Sequence, residues 1–387
     1  MKGKTKQILL YTIFGLSIVL NLVFLRYDVF EFLKSRFVDE TLYIDKHSDV
    51  DFCKLKEDIV TAGFRMGKSD QLEMVWNDDA GVTRRIVNFY SKRNSVEEKK
   101  YNYPKAYLLY ALAMYCRKND PDRLVEVKEI FDSYIDDYGN PNFELNKLDQ
   151  VVFGMTSLVL YETYKDERYL HFSQGLFNFV KQHMDENGII AYRKGQKTIL
   201  NDALGMIVPF LTMYSKVTND TTSYRIAKKQ IDQYIKFGVD EATYLPSHAY
   251  NLESKVQVGS SNWGRGIGWY YLSLSSIHDM DRSLYQTEIF GLSKTIGLLK
   301  NSEGLWSQYP GSSDRFDAST TTMLAYCEFL LNDNMSTETI LPKILKYISD
   351  DGDVLDSSGD TYAVNEYSRT FGRSELSQAF LILLLSF

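Results

Sequence analysis

Four stretches of this 387-residue chain repeat one pattern: an apolar run, an Asp/Asn-rich turn, a more amphipathic run, and a closing Gly or Asp/Asn signal. They are SLVLYETYKDERYLHFSQGLFNFVKQHMDENG at 157–188, FLTMYSKVTNDTTSYRIAKKQIDQYIKFGVDE at 210–241, YLSLSSIHDMDRSLYQTEIFGLSKTIGLLKNSEG at 271–304 and LAYCEFLLNDNMSTETILPKILKYISDDG at 324–352. The pattern is helical and poor in strand alternation. Self-similarity at a fixed spacing of tens of residues means stacked or closed helix pairs. Polar or aromatic clusters precede the apolar runs: Tyr103-Pro104-Lys105, Asp149, Asn201-Asp202, Trp263-Gly264-Arg265, Asp317-Ala318-Ser319 and Arg373-Ser374-Glu375. Asp149 and Asp202 are 53 positions apart, Trp263 and Asp317 54, a spacing that suits a helical hairpin. Six apolar inner helices, each paired with an outer amphipathic one, would close into an all-α (α/α)6 barrel with the polar heads at one end. An open solenoid is the rival, and inward-pointing chemistry favours closure.

The first 26 residues stand apart. Three lysines within Met1–Lys6 precede an uncharged run from Gln7 to Leu25, closed by Arg26. Ile8–Leu25 would be a helix about 27 Å long, just enough for the hydrocarbon layer. The run ends in the bulky NLVFLRYDVF, with none of the small residues of a signal-peptidase site. The expectation is therefore an uncleaved, single-pass signal anchor over 1–26, its N-terminus cytoplasmic by the positive-inside rule. A stalk over 27–50 and one extracytoplasmic domain over 51–387 would follow, since no low-complexity linker interrupts the rest.

Net charge is −7 with no basic stripe, so nucleic acid is not an expected partner. An anionic substrate would have to be held by a few local cations. The three cysteines, Cys53, Cys116 and Cys327, show no metal-ligand spacing, and the five histidines form no metal motif. No metal or cofactor is expected, and the cysteines read as small buried apolar residues.

Asp149 and Asp202 head successive inner helices. Each could be an N-cap, for which Asp is favoured. One repeat of separation also puts them side by side at the same barrel end. Two adjacent carboxylates in a partly closed pocket push one pKa upward, which makes a general acid at neutral pH. The segment Gly259-Ser260-Ser261-Asn262-Trp263-Gly264-Arg265-Gly266-Ile267-Gly268-Trp269 interleaves glycines with Trp, Arg and Trp. Glycines admit close backbone approach, tryptophans offer faces for a sugar ring, and Arg can clamp a carboxylate. His248 lies in the loop leading to that segment. Ser349-Asp350-Asp351-Gly352-Asp353 fits no calcium-loop template and reads as a solvated turn.

The chain resembles the unsaturated uronyl hydrolases of glycoside hydrolase families 88 and 105. Four blocks carry the resemblance, in order over roughly 100–387: LDQVVFGMTSLVLYETYKDERY, LNDALGMIVPFL, SHAYN with NWGRGIGWYYLSL, and GLWSQYPGSSDRFDASTTTMLAY. It implies an (α/α)6 barrel that removes a 4,5-unsaturated uronic acid from the non-reducing end of lyase-made oligosaccharides by hydrating the vinyl ether. By that resemblance Asp202 is the acid that protonates C4 and assists water addition at C5, and Asp149 assists or orients. Arg265 and His248 bind polar groups, and Trp263 and Trp269 shape the ring site. Ile267 stands where the motif often has Asn, and Asp317 where Glu is common. Two other functions remain open at this point: an inverting glycosidase with Asp149 and Asp202 as its acid–base pair, and a catalytically weak glycan-binding or assembly protein at the membrane.

Overall fold

The computed structural model describes residues 2–26, 51–75, 90, 100–313, 315–331 and 337–387. The stalk expected over 27–50 lies outside the described residues. A first helix, α1 (Lys2–Phe24), is followed by α2 (Phe52–Lys68), α3 (Tyr103–Asn119), α4 (Leu124–Asp132), α5 (Phe153–Tyr164), α6 (Glu167–Gln182) and α7 (Asn201–Thr218). Then come α8 (Thr221–Gly238), α9 (Gly264–Met280), α10 (Gln286–Leu298), α11 (Ala318–Leu331), α12 (Thr337–Ile344) and α13 (Glu375–Leu385).

Helices α3, α5, α7, α9, α11 and α13 pack in sequence, and α13 packs back against α3. The ring is closed, which decides against an open solenoid. Its members are buried over most of their surface: every residue of α13 is buried. Outer helices are one-sided. On α8, Ile226, Ala227, Gln230, Ile231 and Tyr234 are buried at helical spacing while the opposite face meets solvent. Burying a side chain such as Ile231 contributes about 1.5–3 kcal/mol. α2, the first helix of the barrel in sequence, packs against both α13 and α3 and so spans the joint of the ring.

Each outer helix leads into a recurring turn. Asp136 Oδ1 accepts from the amides of Tyr138 and Asn140, Asp185 Oδ1 from Asn187 and Ile189, and Asp240 Oδ1 from Ala242 and Thr243. Asn301 Oδ1 accepts from Glu303 and Leu305 in the same way. Gly139, Gly188, Gly304 and Gly352 take the left-handed conformation three residues after the turn-initiating side chain, where a Cβ would be strained. The 349–353 segment is the last copy of this device, with Ser349 Oγ accepting from Asp353.

The interior holds a second local compensation. Pro209 lies inside α7 and has no N–H for the carbonyl of Gly205. The Tyr107 hydroxyl of α3 donates to that carbonyl instead, tying two inner helices together. Cys116 and Cys327 are buried as expected, but Cys53 is exposed, because it faces outward on the first turn of α2. α1 is long and apolar enough to cross a membrane, and none of it is buried against the rest of the chain.

Short strands shape the mouth. β1 (Thr198–Leu200), β2 (Ala249–Asn251) and β3 (Gln257–Val258) form an antiparallel sheet with Leu200 opposite Ala249. That pairing brings His248, just before β2, beside the start of α7. β4 (Ser357–Ser358) pairs with β5 (Phe371–Gly372) and carries the loop between them across the same end.

Candidate active site

Neither aspartate is a helix cap. Leu200 is the N-cap of α7, with no side-chain capping bond, and Asp202 sits inside the first turn. Asp149 lies within a 3-10 turn, Leu148–Val152, whose preceding amides are satisfied by Gln150 Oε1. The clear caps are elsewhere. Asp317 accepts from Ser319 N, Ser319 Oγ, Thr320 Oγ1, Ser358 N and Ser358 Oγ, which fully commits its carboxylate to fixing the start of α11. Lys105 and Glu375 form a buried pair at 3.1 Å, with Glu375 also accepting from the amides of Glu73 and Met74. These heads hold the mouth together.

Asp202 remains available for chemistry. Its Oδ1 is buried without a hydrogen-bond partner among the described residues, while the side chain as a whole keeps 22% exposure. Burial pushes its pKa up to about 7; Arg265 pulls the other way and Asp149 adds to the rise. Asp149 is 5% exposed, and Tyr192 from the loop after α6 makes a hydrogen bond to it.

His248 Nε2 faces Asp202 Oδ1 at 3.5 Å, and its Nδ1 is 2.9 Å from Tyr367 Oη. Burial, helped by the Arg265 cation, holds its pKa down at about 4, so the imidazole is neutral at pH 7. The Trp263 ring packs on it with centroids 4.5 Å apart and also meets the Tyr367 ring at 5.1 Å.

Arg265 is 1% exposed, and its guanidinium donates to the carbonyls of Ser358 (3.0 Å) and Gly359 (2.5 Å) and to Thr361 Oγ1 (3.1 Å). It grips the loop on either side of Asp360, whose carboxylate accepts from Tyr103 Oη at 3.0 Å. The carboxylate clamp expected of Arg265 is therefore not what its bonded donors make here; they hold a loop that presents a third carboxylate. Trp269 lies deeper, packed against the Tyr103, Tyr107 and Phe380 rings and over Gly205. It forms floor, touching the site through Tyr103. The glycines of the same segment also serve packing: a Cβ on Gly264 would meet Thr320, and one on Gly268 would stand 2.9 Å from Met323 Cε. Close approach of α9 to α11 requires them.

The structure thus brings Asp149, Asp202, His248, Trp263 and Arg265 to one mouth, with Trp269 beneath. Tyr192, Asp360 and Tyr367 are additions that the sequence did not single out. All three sit in aperiodic loops. Tyr103 stood in a recognised head cluster, but nothing local marked it as facing a carboxylate. Beside Asp202 Oδ1, both amide atoms of buried Asn201 and Nε1 of Trp263 also lack partners among the described residues. Buried polar groups are almost always paired, and these unpartnered atoms lie together beside the acid.

Comparison with known proteins agrees with this fold. The model of Glycosyl Hydrolase Family 88 matches residues 80–348. A possible member of family GH105 from Klebsiella pneumoniae superposes with a TM-score of 0.69 at 16% identity, over 89% of this chain and 94% of that one. An unsaturated glucuronyl hydrolase specific for heparin gives 0.61 at 15% identity, over 86% and 95%. An α-1,6-mannanase of Salegentibacter gives 0.56 at 13% identity, over 87% and 98%. At such identities these likenesses establish the fold alone, which several chemistries share.

Proposed function

The chain belongs to glycosyl hydrolase family 88 and is a glycoside hydrolase, and from that premise we propose that it removes a 4,5-unsaturated uronic acid from the non-reducing end of an oligosaccharide. The observation that carries this reading is Asp202, an enclosed carboxyl whose pKa is raised to about 7, beside a second buried carboxyl and a neutral imidazole. A group balanced in this way can give a proton to a vinyl-ether carbon near neutral pH.

In the proposed reaction Asp202 delivers its proton to C4 while water adds at C5. The hemiketal so formed opens and releases the remaining sugar. Asp149, held by Tyr192, orients or assists. Trp263 offers a face beside the acid, and Trp269 supports the floor through Tyr103. Arg265 keeps the Asp360 loop in place and limits the rise in the pKa of Asp202. Residues 51–387 are taken as the hydrolase domain. The uncharged run on α1 supports a single-pass anchor, with this domain outside the membrane and the N-terminus cytoplasmic.

The test is a paired substrate panel. Lyase-made unsaturated disaccharides and their saturated counterparts are incubated with the full-length protein in detergent, following enoate ultraviolet absorbance and released sugar. Loss of absorbance with unsaturated substrates alone supports the reading. Cleavage of saturated glycans with inversion would replace it with an ordinary inverting mechanism.

A further inference from the structure

We propose that Asp317 is a positioning residue: acting through Ser358, it holds the Arg265 guanidinium in its place at the mouth. This role goes beyond the hydrolase reading and does not depend on it, because it concerns where a buried cation is kept.

Asp317 and Arg265 are 0% and 1% exposed, and neither makes an ion pair among the described residues. A buried charge is costly unless something compensates it. One residue stands between these two. Ser358 N donates to Asp317 Oδ1 at 3.0 Å, and Ser358 Oγ donates to Asp317 Oδ2 at 2.8 Å. The Ser358 carbonyl accepts from Arg265 Nη1 at 3.0 Å. Its donors therefore meet the anion and its acceptor meets the cation. Hydrogen bonds to charged groups are the strong ones, and bonds in series polarise one another. Ser358 is itself buried, so water does not compete along this path.

The neighbouring elements force the arrangement. Asp317 immediately precedes α11, where its amide donates to the carbonyl of Trp306 and its own carbonyl accepts from Thr321. The rest of its carboxylate is used on Ser319 and Thr320 of the first helical turn. β4 lies against this helix start: the amide of Ala318 donates to the carbonyl of Asp356 at 2.9 Å, and Ser358 pairs with Phe371 of β5. Arg265 comes from the first turn of α9, and its hydrogen bonds among the described residues all go to Ser358, Gly359 and Thr361. Asp317 thus fixes the strand, and the strand fixes the guanidinium.

Short steps lead from there to the acid. Arg265 Cζ is 5.6 Å from the centroid of the Trp263 ring, which packs on His248 at 4.5 Å, and His248 Nε2 is 3.5 Å from Asp202 Oδ1. A guanidinium in this space favours the ionised carboxyl, so its displacement would raise the pKa of Asp202.

The experiment is carboxyl carbon-13 titration of the full-length protein in detergent micelles, labelled on aspartate, with the Asp202 signal identified by its loss in Asp202→Asn. Asp317→Asn and Arg265→Gln should each raise the Asp202 midpoint, and the double variant should rise no further than Arg265→Gln alone. The sign is diagnostic, because deleting a negative charge would by itself lower the midpoint. Asp149 ahead of α5, Asp360 between β4 and β5, Tyr103 on α3 and His248 before β2 face the same space and are kept in every variant. A folded Asp317→Asn protein with an unmoved or lowered midpoint overturns the proposal. So does a rise that adds in full to that of Arg265→Gln. If Asp317→Asn does not fold, Ser358→Ala removes only the hydroxyl donor and should raise the midpoint in smaller measure; an unmoved midpoint there overturns the proposal as well. No substrate is involved, so failure here is distinct from failure of the hydrolase reading.

Discussion

His248 Nε2 and Asp202 Oδ1 stand 3.5 Å apart, and burial moves the two groups in opposite senses, the imidazole down to about 4 and the carboxyl up to about 7. Desolvation disfavours the charged form of each, so near neutrality the pair is close to uncharged. An acid that keeps its proton beside an uncharged imidazole is suited to proton delivery near neutral pH.

This relationship has a signature in stability. Between pH 3.8 and about 7 the unfolded chain ionises Asp202 while the folded chain keeps its proton, so stability falls as pH rises through that window. Asp202→Asn removes the penalty. The variant should match wild type at pH 4 and gain up to about 4 kcal/mol on it by pH 8, read from urea unfolding at both pH values.

For His248 the sign is reversed. Between pH 6.5 and about 4 the unfolded chain takes up a proton that the folded chain refuses, so stability is lost as pH falls. Between pH 6.5 and 4.5 this loss nearly cancels the gain from Asp202, so wild type should be almost flat there. His248→Gln, keeping only the Asp202 contribution, should become more stable as pH falls through the window, read from the unfolding midpoint.

The carbonyl of Gly205 gives a test of the barrel interior. Tyr107→Phe leaves this buried acceptor without the hydroxyl that replaces the amide Pro209 lacks. The cost should be about 1–3 kcal/mol, seen as a lower thermal midpoint. A midpoint equal to wild type would show that the bond contributes nothing.

Arg265 links the loop to the acid. Arg265→Gln should expose the amides around 358–361 to faster hydrogen exchange, because two of their carbonyls lose a charged donor. It should also move the alkaline limb of the kcat/KM profile upward, since the cation holding Asp202 down is gone. A lower rate with an unmoved limb would confine Arg265 to the loop.

The barrel was legible because its helices are local. Apolar periodicity, turn residues and the 53- and 54-residue spacings all follow from contacts within one hairpin. The ring itself was inferred, and the packing of α13 on α3 supplies what spacing cannot. The heads were legible as a group but not in rank. Asp317 and Asp202 read alike in sequence, yet one carboxylate is saturated by five donors and the other has a bare buried oxygen. Tyr367 and Asp360 were invisible, because an aperiodic loop shows its purpose only through what it faces. Arg265 and Trp269 illustrate the opposite hazard. Residue types suited to a sugar site also suit loop fixation and core packing, and no spacing separates those roles.

The central claim is that Asp202 is the acid that hydrates an unsaturated uronyl group. Its most direct test follows enoate absorbance of a lyase-made disaccharide at pH 6 with wild type and with Asp202→Asn. General acid–base catalysis supplies about 10²–10⁴-fold, so the account predicts that the folded variant loses at least about 100-fold in rate. A folded Asp202→Asn protein that clears the absorbance at the wild-type rate would contradict it.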